Sequence, residues 1–284
     1  CSYCVIPQIR GPLRSRTIDS LKIEANKLIA NGVKEISLIS QDFTLYGKDL
    51  NDENTPANLI KSLSTLKGLH WLRILYTYPE NFSDELIDII ADSPNVCKYL
   101  DIPIQHFSDR ILKKMNRRIT GENIIALVSR IRERIPNVFL RTSLIVGLPG
   151  ETDEDFAVLK NALEKIRFKH VGIFTYSDEE GTPSFKMSGK VAEEVKIQRQ
   201  KELYQIQENI SAQLNAELVG TKLEVLVEGP HEETELLIEG RHYGQAPEID
   251  GKVIINDGVA NTGELVTVEI TESHIHDVVG KVIY

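Results

Sequence analysis

Amphipathic segments alternate with short, almost continuously apolar segments along the first 218 residues of this 284-residue chain. A first helix is predicted between Thr17, which can cap its start, and Asn31-Gly32, where a helix commonly ends. An apolar strand is predicted directly afterwards, over residues 35–40. Continuous Val/Ile/Leu strands between amphipathic helices are typical of a parallel sheet covered by helices. The sequence therefore predicts an α/β fold.

The same cycle of helix and strand repeats four times. The predicted helices cover residues 56–67, 84–92, 109–115 with 121–135, and 153–166, and the strands cover 71–76, 97–104, 138–146 and 169–176. Five strands are too few to close an eight-stranded barrel, and a doubly wound sheet fits the pattern equally well. Both architectures bind ligands at the carboxyl ends of their strands, so we expect functional residues there.

The pattern changes after a long charged helix predicted from about residue 192 to residue 218. Short alternating runs at residues 223–227, 252–255, 265–270 and 281–284 are separated by Gly, Pro and Asn. Such runs predict a small antiparallel β-barrel. We therefore expect two domains, an α/β core over residues 1–218 and a β-barrel over residues 219–284.

The excess negative charge is concentrated in the second predicted domain. The chain has a formal net charge of −9. Residues 219–284 contain 13 acidic and 4 basic residues, whereas residues 1–218 contain 29 of each. An acidic module repels phosphate backbones and attracts basic proteins, so we expect a basic partner.

Cysteine content and hydropathy bear on the cellular environment. Three cysteines are too few for a disulfide scaffold, which favours reduced, cytoplasmic thiols. No apolar run approaches the roughly 20 residues that a membrane-spanning helix needs. The first residues also lack the basic-then-apolar pattern of a secretory leader. We therefore expect a cytoplasmic protein that does not cross a membrane.

Cys1 and Cys4 form a C-x-x-C motif before the first helix. Two thiolates at this spacing can bind one metal centre or form a redox pair. Zinc knuckles and thioredoxin-like sites share the spacing, so the pair alone does not select among them. Because the chain opens on a cysteine rather than a methionine, we expect it to continue upstream, where a third ligand would lie.

Polar residues follow two of the predicted strands. Gln105 ends the strand at residues 97–104, and its amide could hydrogen-bond a sugar hydroxyl. Arg117 lies twelve residues further on and could pair with a carboxylate. Gln41 and Asp42 end the strand at residues 35–40. A solvated arginine and strand-end amides without a ligand fit these positions too, and that alternative stays open.

A Gly/Pro-rich turn, Gly147-Leu148-Pro149-Gly150-Glu151, follows the strand at residues 138–146. Thr152 and Asp155 form a capping box for the next helix. Glycine lets a ligand approach the backbone closely, and free N–H groups at a helix start favour an acceptor. An ordinary strand-to-helix turn explains the segment equally well.

Together these segments resemble the methylthiotransferase family of radical S-adenosylmethionine (SAM) enzymes along nearly the whole chain. The cluster motif of that family is C-x-x-x-C-x-x-C, with an aromatic residue before the last cysteine. Cys1-Ser2-Tyr3-Cys4 matches its final four positions, and Arg10-Gly11 follows as in the family. The first cysteine of the motif is absent from this chain. The resemblance implies a partial (β/α) barrel, similar to a TIM barrel, followed by an OB-like TRAM domain.

The resemblance also implies cofactors and site residues. A four-iron four-sulfur (4Fe-4S) cluster would be bound by Cys1, Cys4 and an upstream cysteine, with SAM on its unique iron and Tyr3 and Gln41 within this cofactor site. Gln105 would contact the ribose of SAM, Arg117 its methionine carboxylate, and Gly147–Glu151 its adenine. An amino-terminal domain carrying a second 4Fe-4S cluster, and an electron donor such as flavodoxin or ferredoxin, would complete the system.

Two branches of the family differ in substrate: one methylthiolates an adenosine of transfer RNA, the other the β-carbon of an aspartate in ribosomal protein uS12. Segments 105–108, 177–183 and 246–251 resemble the second branch. The acidic second domain also suits a basic ribosomal protein. We predict an aspartate methylthiotransferase. The transfer-RNA branch, a non-catalytic docking module and a zinc or dithiol redox protein are the alternatives.

Overall fold

The structure is a computed structural model that describes residues 1–50, 53–232 and 234–284. Within these ranges, five parallel strands form one sheet in the order in which they occur in the sequence. They are β1 Glu35–Leu38, β2 Trp71–Ile74, β3 Val96–Asp101, β4 Phe139–Val146 and β5 His170–Thr175. A doubly wound sheet changes direction within its strand order, whereas this order winds one way only, as in a (β/α) barrel. The predicted partial barrel is confirmed, and the doubly wound alternative is wrong.

Helices connect the strands and cover one face of the sheet. They are α1 Ile6–Arg10, α2 Ile18–Ala30, α3 Pro56–Ser64, α4 Asp84–Asp92, α5 Asp109–Lys114, α6 Gly121–Arg134, α7 Asp153–Ile166 and α8 Glu193–Ala216. Most of them begin at a Ser or Thr that accepts a backbone hydrogen bond, as Thr17 does from Ser20. Thr152 and Asp155 form the predicted capping box. Helix α1 was not predicted, because five residues are too few to display a helical period.

The two faces of the sheet bury different kinds of side chain. Leu72, Ile74 and Leu100 are at most 1% exposed and belong to one apolar core that includes residues of the helices. Because side chains alternate along a strand, Arg73 and Tyr99 point to the opposite, inner face of the half-barrel. The inner face therefore carries polar and aromatic side chains that need partners of their own.

After α8, five strands form a closed barrel within the described residues. They are β6 Lys222–His231, β7 Thr234–His242, β8 Val253–Asp257, β9 Leu265–Ser273 and β10 Val278–Val282. The strand order departs from chain order, as in an OB-like barrel, which confirms that part of the prediction. Strands β8 and β10 are parallel, so the expectation of a purely antiparallel barrel is wrong. The boundary predicted between residues 218 and 219 falls in the short connection before β6.

Strand β7 was not predicted from the sequence. Its residues Leu236, Leu237 and Ile238 are consecutive apolar side chains, whereas a half-buried strand is recognised by alternation. In the structure Leu236 is 90% exposed. The strand forms because its backbone pairs with β6 and β8 on either side. Tertiary pairing here overrides a misleading local pattern.

The loop between β7 and β8, residues 243–252, packs into the inner face of the half-barrel, and we call it the floor loop. Ala246 and Tyr243 of this loop join Trp71, Tyr99 and Phe139 in one apolar cluster. Trp71 and Phe139 are the first residues of β2 and β4. The floor loop therefore covers the amino-terminal end of the half-barrel and leaves the carboxyl ends of the strands free.

Buried polar contacts fix the floor loop in place. Asp250, whose side chain is 1% exposed, accepts hydrogen bonds from the Tyr99 hydroxyl at 2.7 Å and from Arg141 Nη1 at 3.0 Å. On the other side of the inner face, Arg73 donates to the carbonyl of Tyr243 at 2.8 Å. Tyr99, Arg141 and Arg73 therefore each donate a hydrogen bond to the floor loop.

A second buried ion-pair network links the domains directly. Glu35 accepts hydrogen bonds from Arg73 Nε at 2.6 Å and from Arg241 Nη2 at 2.9 Å. The side chains of all three residues are at most 7% exposed. Removing one member of such a buried group leaves an uncompensated charge, which is strongly destabilising.

No helix in the described part of the chain combines the length and the apolar character that a membrane crossing requires.

Replacing Asp250 with alanine should lower the free energy of unfolding by about 3 kcal/mol, because Arg141 and the Tyr99 hydroxyl would remain buried without this acceptor. Urea denaturation followed by circular dichroism measures the change. Asp257→Ala, which removes an exposed carboxylate at the end of β8, is the matched control and should cost less than about 0.5 kcal/mol. Equal costs for the two variants would contradict the role assigned to Asp250.

Acid should weaken the fold through His242. Its imidazole is buried, Nδ1 accepts a hydrogen bond from the Gly244 N–H at 3.0 Å, and burial lowers the pKa of the ring well below its ordinary value of 6.5. Below about pH 6.5 the unfolded chain binds a proton at His242 that the folded chain does not. The free energy of unfolding therefore decreases as the pH is lowered.

His242→Asn keeps an acceptor for the Gly244 N–H and cannot titrate. Its free energy of unfolding should fall less steeply below pH 6.5 than that of the wild type, by up to about 1.4 kcal/mol per pH unit. Denaturation curves collected at several pH values measure the slope. His276→Asn, at an exposed position, is the surface control. An unchanged slope for His242→Asn would refute the argument.

Candidate active site

The amino-terminal turn lies against elements at the carboxyl edge of the sheet. The N–H of Ser2 donates to the carbonyl of Met115 at 2.9 Å, and the N–H of Ser184 donates to the carbonyl of Ser2 at 2.9 Å. The end of α5 and the turn at residues 183–186 therefore hold the C-x-x-C motif. Cys1 and Cys4 are half-buried free thiols.

Arg117 is brought to Cys1, although 116 positions separate them in the sequence. Its guanidinium Nη1 lies 3.8 Å from Cys1 Sγ, and Nη2 donates to the carbonyl of Pro103 at 2.9 Å. The ring of Tyr78 packs under the guanidinium at 4.5 Å. The structure therefore unites two of the predicted site residues, Cys1 and Arg117, at one end of the half-barrel.

Glu80 belongs to the same cluster and was not predicted. Its Oε1 lies 2.8 Å from Arg117 Nε, and the Arg117 side chain is 1% exposed. The pair is close but poorly aligned, because neither Arg117 Nε nor Glu80 Oε2 has a hydrogen-bond partner among the described residues. A guanidinium has five N–H donors, and the contacts with Glu80, Cys1 and Pro103 use three of them, so Arg117 keeps Nη donors that a carboxylate could use. The available signal was a charged residue in a Pro-containing turn after a predicted strand.

Gln105, which follows β3, is fixed by backbone hydrogen bonds to β4. Its N–H donates to the carbonyl of Ser143 at 2.8 Å, and its carbonyl accepts from the N–H of Ile145 at 2.9 Å. Its φ is 76°, a left-handed conformation that is uncommon outside glycine. The side-chain amide forms no hydrogen bond with any residue that the structure describes, so its donors and acceptor are open to a ligand.

The turn Gly147–Glu151 is held from within by its last residue. Glu151 Oε2 accepts from the Gly147 N–H at 2.8 Å, and Oε1 accepts from Arg199 Nη1 at 2.7 Å. Burial raises the pKa of Glu151. Gly147 and Gly150 have φ of 80° and 81°, so glycine is needed at both. Glu151 therefore shapes the turn, and both of its carboxylate oxygens are engaged in doing so. A ligand could contact the backbone of the turn but not this carboxylate.

Apolar packing joins this turn to the amino-terminal cysteines. Tyr3 packs with Leu148, Met115 and Tyr176 in a small cluster of its own. Burial raises the pKa of Tyr3. Pro149 contributes its carbonyl, which accepts from Lys114 Nζ at 3.1 Å. The predicted residues Tyr3 and Leu148 thus meet, and their contact ties the cysteine turn to the glycine turn.

Gln41 and Asp42 have different surroundings. Gln41 is exposed after β1, and its role stays a prediction. Asp42 is buried, and its Oδ1 accepts from the Thr44 N–H at 2.9 Å. Burial raises the pKa of Asp42. Of this pair, Asp42 is the residue that the fold uses, as the cap of a short 3-10 turn.

The donor chemistry of the site suits an iron–sulfur cluster and SAM. Within the described residues no group of three or more His, Cys, Asp or Glu is placed to hold a metal ion. Cys1 and Cys4 supply two thiols beside the positive charge of Arg117, and a third thiolate would come from outside these residues. The remaining Nη donors of Arg117 and the Gln105 amide suit a ligand that carries a carboxylate and hydroxyl groups.

Two sequence families match the chain. Residues 1–163 match the radical SAM superfamily, and residues 219–283 match the TRAM domain. The chain is 52% identical to the ribosomal protein uS12 methylthiotransferase RimO of Geotalea uraniireducens and 51% identical to that of Geobacter sulfurreducens. Each alignment covers 100% of this chain and 63% of the relative. The chain therefore spans less than two thirds of the length of these relatives.

Solved structures share the fold at low sequence identity. The radical SAM methyltransferase TsrM of Kitasatospora setae, solved with cobalamin and a 4Fe-4S cluster, aligns with a TM-score of 0.51 and 21% identity, over 65% of this chain and 33% of TsrM. The radical SAM enzyme HemN of Escherichia coli, a coproporphyrinogen III oxidase, aligns with a TM-score of 0.51 and 14% identity, over 80% of this chain and 60% of HemN. Both comparisons support the fold described above.

Gly147→Ala should destabilise the site for two separable reasons. The left-handed backbone alone costs an alanine about 1–2 kcal/mol, and the new methyl group would collide with Lys196. The loss should therefore be smaller in a Lys196→Ala background, which a double-mutant cycle of denaturation free energies measures. Gly263→Ala, at φ 83° with nothing within 4 Å of the added carbon, is the control for the backbone cost. Full additivity of the two substitutions would contradict the predicted collision.

Proposed function

We propose that this chain is the core of an enzyme that methylthiolates an aspartate β-carbon in ribosomal protein uS12. The chain belongs to the radical SAM superfamily, and its residues 219–283 match the TRAM domain. The observation that carries the proposal is the contact of Cys1, in the C-x-x-C turn, with the buried Arg117 at the carboxyl end of the half-barrel. Identity of about half the residues to uS12 methylthiotransferases supports the choice of substrate.

Cys1 and Cys4 would bind the 4Fe-4S cluster together with a third cysteine expected upstream. When bound, the cluster supplies the electron that cleaves SAM and so generates the radical that removes hydrogen from the substrate. Tyr3, packed between the cysteine turn and Leu148, would keep the two thiols in place. The role of the chain is to orient these groups and to exclude water from them.

Arg117 would bind the methionine carboxylate of SAM. Its guanidinium is oriented by the carbonyl of Pro103, the carboxylate of Glu80 and the ring of Tyr78. A planar guanidinium held on several sides presents its remaining N–H donors in a fixed direction. Glu80 also balances the charge of Arg117 in the absence of a ligand.

Gln105 and the glycine turn would receive the nucleoside part of SAM. The Gln105 amide would hydrogen-bond a ribose hydroxyl, since its backbone is fixed against β4 and its side-chain amide has no partner among the described residues. The backbone of residues 147–150 would lie beside the adenine, in a shape maintained by Glu151. Because these contacts already order the site, little of the binding free energy of SAM is lost in ordering its side chains and backbone.

Charge supports a basic protein as the second substrate. The excess of negative charge lies in residues 219–284, which would attract a ribosomal protein rich in Lys and Arg. The sulfur would come from a second 4Fe-4S cluster in an upstream domain, and the methyl group from another SAM molecule. Electrons would come from a donor such as flavodoxin or ferredoxin, and the reaction would take place in the cytoplasm.

The test uses the full-length protein with its clusters, SAM, a reductant and uS12. Mass spectrometry of uS12 should detect a methylthio group in place of hydrogen on one aspartate. A parallel reaction with transfer RNA should yield no product. Modification of transfer RNA without modification of uS12 would overturn the substrate assignment.

Two arginine variants belong in the same assay. Arg117→Lys should raise the KM for SAM about tenfold or more, because an ammonium cannot replace the planar guanidinium. Arg118→Lys, at the exposed neighbouring position, should leave it unchanged. Equal KM values for the two variants would contradict the role of Arg117.

A further inference from the structure

Left-handed backbone conformations mark two positions at the open end of the half-barrel. Six residues other than glycine have positive φ within the described ranges. Four of them lie near helix ends or in the floor loop: Asn116, Asn137, Arg167 and Glu248. The other two, Tyr76 at 59° and Gln105 at 76°, follow the neighbouring strands β2 and β3 at their carboxyl ends. These two positions lie at the end of the fold where the candidate site lies, and strained backbone is common at functional sites.

Tyr76 is the only aromatic residue among the six. A bulky side chain in this conformation is strained and persists only where the surrounding structure imposes it. Two contacts impose it here. The N–H of Tyr76 donates to Asp101 Oδ2 at 3.3 Å, and its carbonyl accepts from the N–H of Phe43 at 2.8 Å.

The sheet holds Asp101 in the position from which its carboxylate accepts the hydrogen bond of the Tyr76 N–H. It is 2% exposed at the end of β3, and its carbonyl accepts from the N–H and the hydroxyl of Thr77 at 2.9 and 2.7 Å. Its Oδ1 has no hydrogen-bond partner in the described part of the chain, and Arg141 Nε lies 3.7 Å away. The hydrogen bond that the Asp101 carboxylate does accept is therefore from Tyr76.

The strained backbone does not serve the packing of the ring. Tyr76 is 43% exposed, and its hydroxyl forms no hydrogen bond with any described residue. Tyr76 is two residues before Tyr78, whose ring packs under Arg117 at the proposed SAM site. A rigidly held phenol with a free hydroxyl can pack against a peptide and donate a hydrogen bond to it.

We propose that Tyr76 contacts the protein substrate at the open end of the half-barrel and that Asp101 is the positioning residue that holds it there. The inference rests on the proposed function. The phenol donates to a carbonyl or carboxylate of the substrate segment, and the ring packs against that segment. These contacts fix the target β-carbon relative to SAM, which is what a hydrogen abstraction requires.

Tyr76→Asn in the full-length enzyme with its clusters is the first test. Asparagine tolerates the left-handed conformation, so the denaturation midpoint should not fall below that of the wild type. The KM for uS12 should rise about tenfold, and more than the KM for SAM. The amount of 5′-deoxyadenosine formed per methylthiolated uS12 should also rise, because SAM cleavage would be less well coupled to the substrate. Tyr204→Asn, at a tyrosine of similar exposure on α8, is the control. It should change neither the KM for uS12 nor the amount of 5′-deoxyadenosine formed per methylthiolated uS12.

Asp101 provides the second test. Asp101→Ala removes the acceptor of the Tyr76 N–H and should reproduce the uncoupling seen in Tyr76→Asn. Asp101→Asn keeps one acceptor oxygen and should restore most of the coupling. If Asp101→Ala does not fold, the comparison of Tyr76→Asn with Tyr204→Asn decides alone.

The outcomes separate the inference from the proposed function. A wild-type enzyme that cleaves SAM but does not modify uS12 would overturn the proposed function, and the inference with it. A wild-type enzyme that modifies uS12, together with an unchanged KM for uS12 and unchanged coupling in Tyr76→Asn, would overturn the inference alone. Product and 5′-deoxyadenosine that fall in proportion would also overturn it, since Tyr76 would then serve SAM.

Discussion

Charge neutralisation on the inner face of the half-barrel is the interaction on which the rest of the structure depends. Arg73 and Arg141 point into a space that a complete barrel would fill with its own side chains. Here their partners are Glu35 of the same sheet and Asp250 of the floor loop. Because a buried unpaired charge is very costly, the packing of Arg141 in the first domain depends on Asp250 of the second. The two domains thus share buried apolar and polar contacts on the inner face of the half-barrel.

The floor loop covers the amino-terminal end of the half-barrel, so the candidate site lies at the carboxyl end. Residues far apart in the chain converge there, and each is held by a contact that does not involve a ligand: Glu80 holds Arg117, Ser143 holds Gln105, and Glu151 holds Gly147. The site is therefore shaped before any cofactor binds, and the groups left without partners are those that a nucleoside cosubstrate could use. Preorganisation of this kind explains why a rigid scaffold of parallel strands suits chemistry on a reactive intermediate.

Local patterns in the sequence predicted the helices and the parallel strands well, because period and capping are local properties. Strand order, the parallel pairing of β8 with β10 and the existence of β7 depend on distant partners and were beyond such patterns. Within the site, spacing alone left Gln105 and Arg117 open to ordinary structural explanations, and family resemblance supplied their roles. Glu80 and Tyr76 were missed because their significance lies in an ion pair and a backbone angle that exist only in the folded chain.

The floor loop also has a consequence for how the protein is made. A chain emerging from the ribosome exposes the β-strands of the half-barrel well before residues 243–252 have left the exit tunnel. During that interval Arg73 and Arg141 face water, and the aromatic side chains beside them lack their cover. The nascent half-barrel therefore stays partly uncovered until residues 243–252 have emerged, and this is the stage at which chaperone contact would be most useful to it.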